Sequence, residues 1–353
     1  MNYKIKCLRE KMKLLEIDGM IISNPINIEY ITGVYAEGTL IINDKDNIFI
    51  TDARYIEDVN STITISDEIN VRDQANISEN EYISFFANCP RVGIEENYIS
   101  YSKYQNLVRI YRLKEAVETN NLIEKMRTIK DDNEIAKIRR ACEITDNCFT
   151  HLLSYIKTGM TEKQIALEIE MYFKTHGADG VSFDPIVAIG ENSSIPHWIP
   201  GDRKVEMADP ILIDMGCKYE GYCSDMTRTI FMGCILEEIK PVYDLALKNL
   251  ELSTKEITDG YTIKTAANMV ESDFKVNGYN LIHALGHGVG LEVHELPFIR
   301  LKNEANFKEN MVIADEPGIY LPGKYGIRIE DTLLVTKDGS ERLTKSERGY
   351  VVI

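Results

Sequence analysis

The chain has 353 residues, 44% of them apolar, with 40 basic against 56 acidic side chains and a formal net charge of −16. That length exceeds a usual single domain and predicts two. The acidic balance argues against nucleic acid as a partner, since binding would oppose the phosphate charge and no dense Lys/Arg run compensates. No segment approaches the roughly 18 consecutive apolar residues of a membrane span, and the N-terminal MNYKIKCLREKMKLLEIDGM lacks the apolar core of a signal peptide. The seven cysteines form no CxxC pair and read as reduced thiols of a cytoplasmic protein. Cys217 and Cys223 would lie near each other across a hairpin, but burial as small apolar residues is the simpler reading.

In chain order, Ile5, Leu8, Met12 and Leu15 recur at helical spacing, and Gly19 follows as a stop. GMIISN, TLIIND, NIFITD, TITISD and RVGIEE are short apolar runs broken by Asn, Asp and Gly, and read as strands. ARYIEDVNS and SKYQNLVRIYR read as helices between them. The first 120 or so residues therefore look like a small α/β domain. A long helix follows, with Ile135, Ile138, Ala141, Cys142, Thr145, Cys148, Phe149, Leu152, Leu153 and Ile156 on one face and Gly159 at its end. Asp131 and Asp132 stand at its start, where the helix dipole favours them. Thr161-Glu-Lys-Gln fits a capping box opening a second helix. From Gly180 the pattern turns to strands and hairpins, with one helical interruption over about 238–278.

Four acids and one histidine in this second part sit at spacings that suit a two-metal site. In ILIDMGCKYEGYCSDMTRTI, a hairpin turning near Tyr219-Glu220 would set Asp214 directly opposite Asp225 on one face. In DEPGIYLPGKYGIRIED, folding about Pro322-Gly323 would set Glu316 opposite Glu330. An isolated Asp or Glu is usually a solvated turn residue. Here Asp214 follows ILI and Glu330 follows the alternating IRI, and a charge in an apolar strand needs a partner.

Histidines sharpen the pattern: four of the six fall between 197 and 294, three of them in HALGHGVGLEVHE. Glycines around them allow close backbone approach. His287 is the predicted ligand, while His283 and His294 would donate hydrogen bonds to a developing oxyanion or to substrate. His197, in NSSIPHWIPGDR, is a further candidate for moving protons or holding the oxyanion. Carboxylates with one imidazole suit Mn²⁺, and also Co²⁺, Fe²⁺ or Zn²⁺. GHGVG has the wrong spacing for a phosphate loop, and no GxSxG elbow surrounds Ser193, Ser194 or Ser224. Trp198 could line a substrate pocket or simply pack.

FDPIVAIGENSSIPH, ILIDMGCKYEGYCSDMTRTI, HALGHGVGLEVHE, EPGIY and GIRIEDTLLVT, in this order, resemble the pita-bread metallopeptidases, and within them the Xaa-Pro aminopeptidase and Xaa-Pro dipeptidase (prolidase) group. NPINIEYITGV and FITDARYIED extend the resemblance towards the N-terminus. It implies an α/β (α+β) chain with a creatinase-like α/β domain over 1–122 and a catalytic domain of duplicated αβ halves over 123–353. By motif, Asp214 would chelate one metal, Asp225 and Glu330 would bridge two, and His287 and Glu316 would complete the second. A bridging water or hydroxide would attack the carbonyl preceding proline, with Glu316 as the implied proton acceptor. His197, His283 and His294 match the family's active-site histidines, and Arg328 an arginine behind the ligands. The resemblance also implies a homodimer, across whose interface Arg54 could reach substrate; an ion pair of Arg54 at the surface or inside its own domain is the simpler reading.

Two positions depart from the family pattern. Asp315 precedes Glu316 where many relatives have an apolar or hydroxyl residue, and it matters only if it points inward. Phe298 stands where many prolidases carry an arginine suited to a substrate carboxylate, with Arg300 nearby; this favours an aminopeptidase acting on N-terminal Xaa-Pro over a strict dipeptidase. A non-catalytic binding protein on the same fold, or metal-free chemistry of the creatinase kind, would leave the five-ligand set without a purpose.

Overall fold

A computed structural model describes residues 3–63 and 69–353. The chain forms two compact units, one ending at Arg127 and one running from Thr128 to Ile353. The division falls a few residues beyond the 122/123 boundary read from the sequence, because the Leu122–Arg127 helix buries Leu122, Ile123 and Met126 and its Arg127 donates to Asn27 of the first unit.

The first unit is a six-stranded mixed sheet in the order Asn70–Asp73, Asn47–Thr51, Thr39–Asn43, Gly19–Ile22, Arg91–Ile94, Glu115–Glu118. The helix over Tyr3–Leu14 buries Ile5, Leu8 and Met12, but Leu15 lies past its end and is 40% exposed, so the predicted stripe is one residue too long. Most of the predicted TITISD strand lies outside the described residues. Sequence reasoning missed the Pro25–Thr32 helix, which Asn24 caps through its side chain and Gly33 ends at φ 79°. Arg54 pairs with Asp52 at 2.6 Å and approaches Glu37 at 3.8 Å, both in its own domain.

The second unit consists of two halves of like construction. In the first, Asp131 and Glu134 form a capping box that opens the Asp132–Tyr155 helix, and Thr161 and Gln164 form another that opens the Glu162–Thr175 helix. Ile144, Phe149, Leu152, Ile165 and Phe173 pack these helices against the strands Ile186–Ile189, Pro210–Met215 and Met226–Phe231. In the second, the predicted helical interruption is two helices, Lys240–Glu256 and Ile263–Val276. They cover a five-stranded sheet in the order Glu295–Ile299, Gly286–Gly288, Val312–Asp315, Asp331–Thr336, Gly339–Arg342. Among the described residues, no helix is long and apolar enough to cross a membrane. All seven cysteines are free, Cys217 and Cys223 among them.

Candidate metal centre

Each acidic residue of the centre is placed by a hairpin. Glu220 and Gly221 both have positive φ (47° and 81°), the requirement of a tight two-residue turn, and they close on the pair Tyr219↔Tyr222. This turn lies one residue later than predicted and shifts the register by two. Asp214 therefore faces Thr227, not Asp225. A shift of two leaves the face unchanged, so both acids still point into one cavity. In the other hairpin the three residues after Leu321 make the turn. The pairs Asp315↔Asp331 and Gly318↔Arg328 share one register, in which Glu316 falls opposite Glu330 as predicted.

His287 comes from the short strand Gly286–Gly288, between two neighbours that approach it closely. A Cβ on Gly286 would lie 2.0 Å from the Ala314 carbonyl oxygen, and one on Gly288 2.2 Å from that of Leu296. Only glycine fits on either side of this histidine. The His287 Nδ1 lies 3.1 Å from the Gly288 carbonyl oxygen, which can only accept, so the proton sits on Nδ1 and the Nε2 lone pair is free. Burial, then His294, pulls the His287 pKa down to about 4, which keeps the ring neutral.

That Nε2 points at carboxylates: Asp225 Oδ2 is 3.5 Å away and Glu316 Oε1 3.7 Å. Asp225, His287 and Glu330, all buried, each offer one ligand atom within 4.8 Å of the others. Burial first, then repulsion from Glu330, Asp214 and Glu316, pushes the Asp225 pKa well above the usual carboxylate range. The same happens to Glu330 through burial and then Asp214 and Glu316, and Glu316 is pushed up to about 8 by burial above all. Asp214 Oδ1 is buried without a hydrogen-bond partner. Crowded anions, an orphaned carboxylate oxygen and a neutral imidazole fit a divalent cation of the Mn²⁺, Co²⁺, Fe²⁺ or Zn²⁺ type.

Arg328 organises the acids from behind. Its Nη2 donates to Asp214 Oδ2 at 2.6 Å, and its Nε donates to Thr227 Oγ1 at 3.1 Å. The Thr227 hydroxyl in turn donates to Glu330. Thr332 Oγ1 fixes the Asp225 backbone, donating to its carbonyl at 2.7 Å and accepting from its N–H at 3.3 Å. A second arm of Arg328 donates to Tyr320 Oη at 2.7 Å, which lies 2.9 Å from His283 Nε2. His283 Nδ1 faces the Ala284 carbonyl at 2.7 Å, and burial, above all, pulls the His283 pKa down to about 4. Its ring is therefore neutral, donating from Nδ1 and accepting from Tyr320 at Nε2. Both nitrogens of His283, expected from the sequence to donate to a developing oxyanion or to substrate, are thus engaged within the protein. His197 and His294 are exposed along the cavity, with the His294 ring 4.3 Å from that of His287.

The cavity in front of these groups measures about 620 Å³ and is lined by every residue predicted for the site, together with Trp198, Phe298 and Arg300. Asp315 is absent from this lining. It turns the other way, accepting from Ser253 Oγ at 2.6 Å in the Lys240–Glu256 helix, and burial pushes its pKa up to about 7. Ser224 is sealed against Thr145 and Cys217, and Ser193 against Gly190 and Gly326, so neither faces the cavity. Tyr320 and Thr227 were missed in the sequence. EPGIY ends on Tyr320, which shares a strand face with Gly318 and Glu316, and Thr227 lies two residues after Asp225; strand alternation was the signal for both.

Two helix-backed halves closing on a carboxylate and histidine cluster, in a chain that also carries a creatinase-type α/β unit, define a metal-dependent peptidase of the pita-bread fold. The chain belongs to metallopeptidase family M24: the family model matches residues 136–337, and that of the creatinase/prolidase N-terminal domain matches residues 4–129. It is 34% identical to a Xaa-Pro dipeptidase of Pyrococcus horikoshii, with 99% of each chain covered. Among solved structures it is similar to a Xaa-Pro dipeptidase from Bacillus anthracis (32% identity, TM-score 0.94, 99% of each chain). It is likewise similar to an X-Pro aminopeptidase from Thermotoga maritima (33% identity, TM-score 0.88, 98% of this chain and 100% of the other).

Proposed function

We propose that this protein is an exopeptidase that cleaves the bond preceding proline at peptide N-termini, using two divalent metal ions, with Mn²⁺ the first candidate. The observation that carries this reading is the convergence of Asp214, Asp225, His287, Glu316 and Glu330 on one cavity, with an unpaired Asp214 oxygen among crowded carboxylates. Asp214, Asp225, His287, Glu316 and Glu330 would hold the ions. When bound, the ions would supply Lewis-acid polarisation of the scissile carbonyl and an acidified water.

The chain's own groups divide the remaining work. Glu316 takes a proton from the attacking water. His197 and His294, the open imidazoles of the cavity, hold the substrate carbonyl and pass a proton to the leaving proline nitrogen. Arg328, Thr227, Tyr320 and His283 hold the acids in register. A proline amide has no N–H, so selection falls on shape and apolar contact, which Trp198 and Phe298 provide in the cavity lining. A cytoplasmic homodimer belongs to the same reading, supported by the free thiols and the family resemblance, and light scattering in solution tests the dimer.

Phe298 at the family's arginine position supports an aminopeptidase. A specific observation favours the strict dipeptidase as a second reading. The Arg300 guanidinium stacks 4.7 Å above the Phe298 ring, lines the cavity, and has no ion-pair partner among the described residues. It could take the carboxylate of a dipeptide. Comparing turnover of Xaa-Pro with that of Xaa-Pro-Yaa-Zaa separates the two. Full turnover of either substrate by metal-stripped protein would sink the mechanism.

A further inference from the structure

Glu162, the first residue of the Glu162–Thr175 helix, is fully buried, and its carboxylate is saturated from one loop. Oε1 accepts from the Ile189 N–H and the Asn192 side-chain amide, both at 2.9 Å. Oε2 accepts from the Trp198 indole N–H and the Gly201 N–H, both at 2.8 Å. A carboxylate is acceptor-only with about four lone-pair sites, and here four donors meet it. The helix N-terminus adds its favourable field to the same negative charge. Between these anchor points the chain runs through His197, Trp198, Ile199 and Pro200, all of which line the catalytic cavity.

We propose that Glu162 is a positioning residue that fixes the Trp198 ring as the aromatic wall on which the proline ring of the substrate packs. An indole has a single donor, so committing it to Glu162 sets the orientation of the whole ring. A flat aromatic face is the surface that proline-containing segments dock on, since the pyrrolidine offers apolar area in place of an N–H. The identity of the substrate rests on the peptidase reading; the clamp itself does not.

Trp198 is the only tryptophan of the chain, so intrinsic fluorescence reports on this wall in the unmodified protein. Alanyl-proline added to metal-free and to Mn²⁺-loaded protein should change the Trp198 emission. Hydrolysis with silent emission in both forms overturns the inference and leaves the peptidase reading standing; an emission change with hydrolysis of neither alanyl-proline nor a Xaa-Pro tetrapeptide does the reverse. Glu162→Gln keeps one acceptor oxygen and turns the other into a donor, which strands two of the four donors. It should shift the emission to longer wavelength, increase quenching by iodide, and raise KM about ten-fold with kcat changed less than about two-fold. Unchanged emission and KM in a folded Glu162→Gln protein also overturn it. Should that variant not fold, Trp198→Ala decides: KM should again rise about ten-fold, and an unchanged KM refutes the wall.

Discussion

Glu330 and Asp331 are neighbours in sequence, both buried, and their surroundings are opposite. Glu330 faces the cavity, where burial and then Asp214 and Glu316 oppose its charge. Asp331 faces the other way, where Arg228 holds it at 2.7 Å, Arg342 at 3.2 Å, and Arg348 and Thr344 complete the set. Burial opposes the Asp331 charge, yet Arg228, Arg348 and Arg342 together hold its pKa below the usual carboxylate range. The strand thus separates a face rich in anions from a face rich in cations. Arg228 ties the two together, since its guanidinium also donates to the backbone carbonyl of Glu330. One face stores a demand for cations from solution, and the other meets the same demand from within the fold.

The largest effects should come from the cavity face. Asp225→Ala or Glu330→Ala should lower Xaa-Pro hydrolysis by more than about 10³-fold and abolish metal binding, read by calorimetry. Wild-type protein should gain about 3 kcal/mol of stability when Mn²⁺ exceeds its Kd a hundred-fold, and the variants should gain none. On the opposite face, Asp331→Asn strands buried guanidinium groups and should cost about 3–5 kcal/mol in denaturant unfolding. Glu330→Gln should leave the metal-free protein as stable as wild type or more so. If both substitutions destabilise the metal-free protein equally, the contrast between the faces is wrong.

A smaller effect tests how the cavity face is held together. Thr227 accepts from Arg328 and donates to Glu330, so Thr227→Val should cost about 10-fold or somewhat more in metal affinity, as losses of such supporting groups do. Thr227→Ser keeps the hydroxyl and should restore most of it.

Much of this centre was legible because strand alternation survives errors of two. The misplaced turn at Glu220-Gly221 changed the partner of Asp214 from Asp225 to Thr227 and left both acids on the same face. The second hairpin kept even its pairing. The groups that went unread interact across long sequence separations with no local pattern to announce them. Glu162 looks in sequence like an ordinary acidic residue after a cap, and its meaning depends on donors 27 to 39 residues away. His283 belonged to a motif, but only its contacts with Ala284 and Tyr320 reveal that both nitrogens are occupied. Asp315 shows the same limit, because alternation with Glu316 turns it away from the cavity but cannot name the Ser253 hydroxyl that it meets there.

Substrate length is where the comparison of faces reaches its finest scale. Arg328 and Arg300 are the two guanidinium groups of the cavity lining, and they differ as Asp331 and Glu330 do. Arg328 is buried and committed to Asp214, Thr227 and Tyr320, whereas Arg300 is exposed and lies over Phe298. A cation stacked on an aromatic face in water contributes only about 0.5–1 kcal/mol, so little holds Arg300 in place and it is free to turn to an incoming carboxylate. Arg300→Met keeps much of the stem that covers Phe298 and removes the charge. For a dipeptidase, KM for alanyl-proline should rise about three- to ten-fold at unchanged kcat, because only ground-state binding is lost. Raising the ionic strength should shrink the wild-type advantage, as screening does for an exposed pair. For an aminopeptidase, the same substitution should leave KM for a Xaa-Pro tetrapeptide unchanged, since no carboxylate then lies within reach of Arg300.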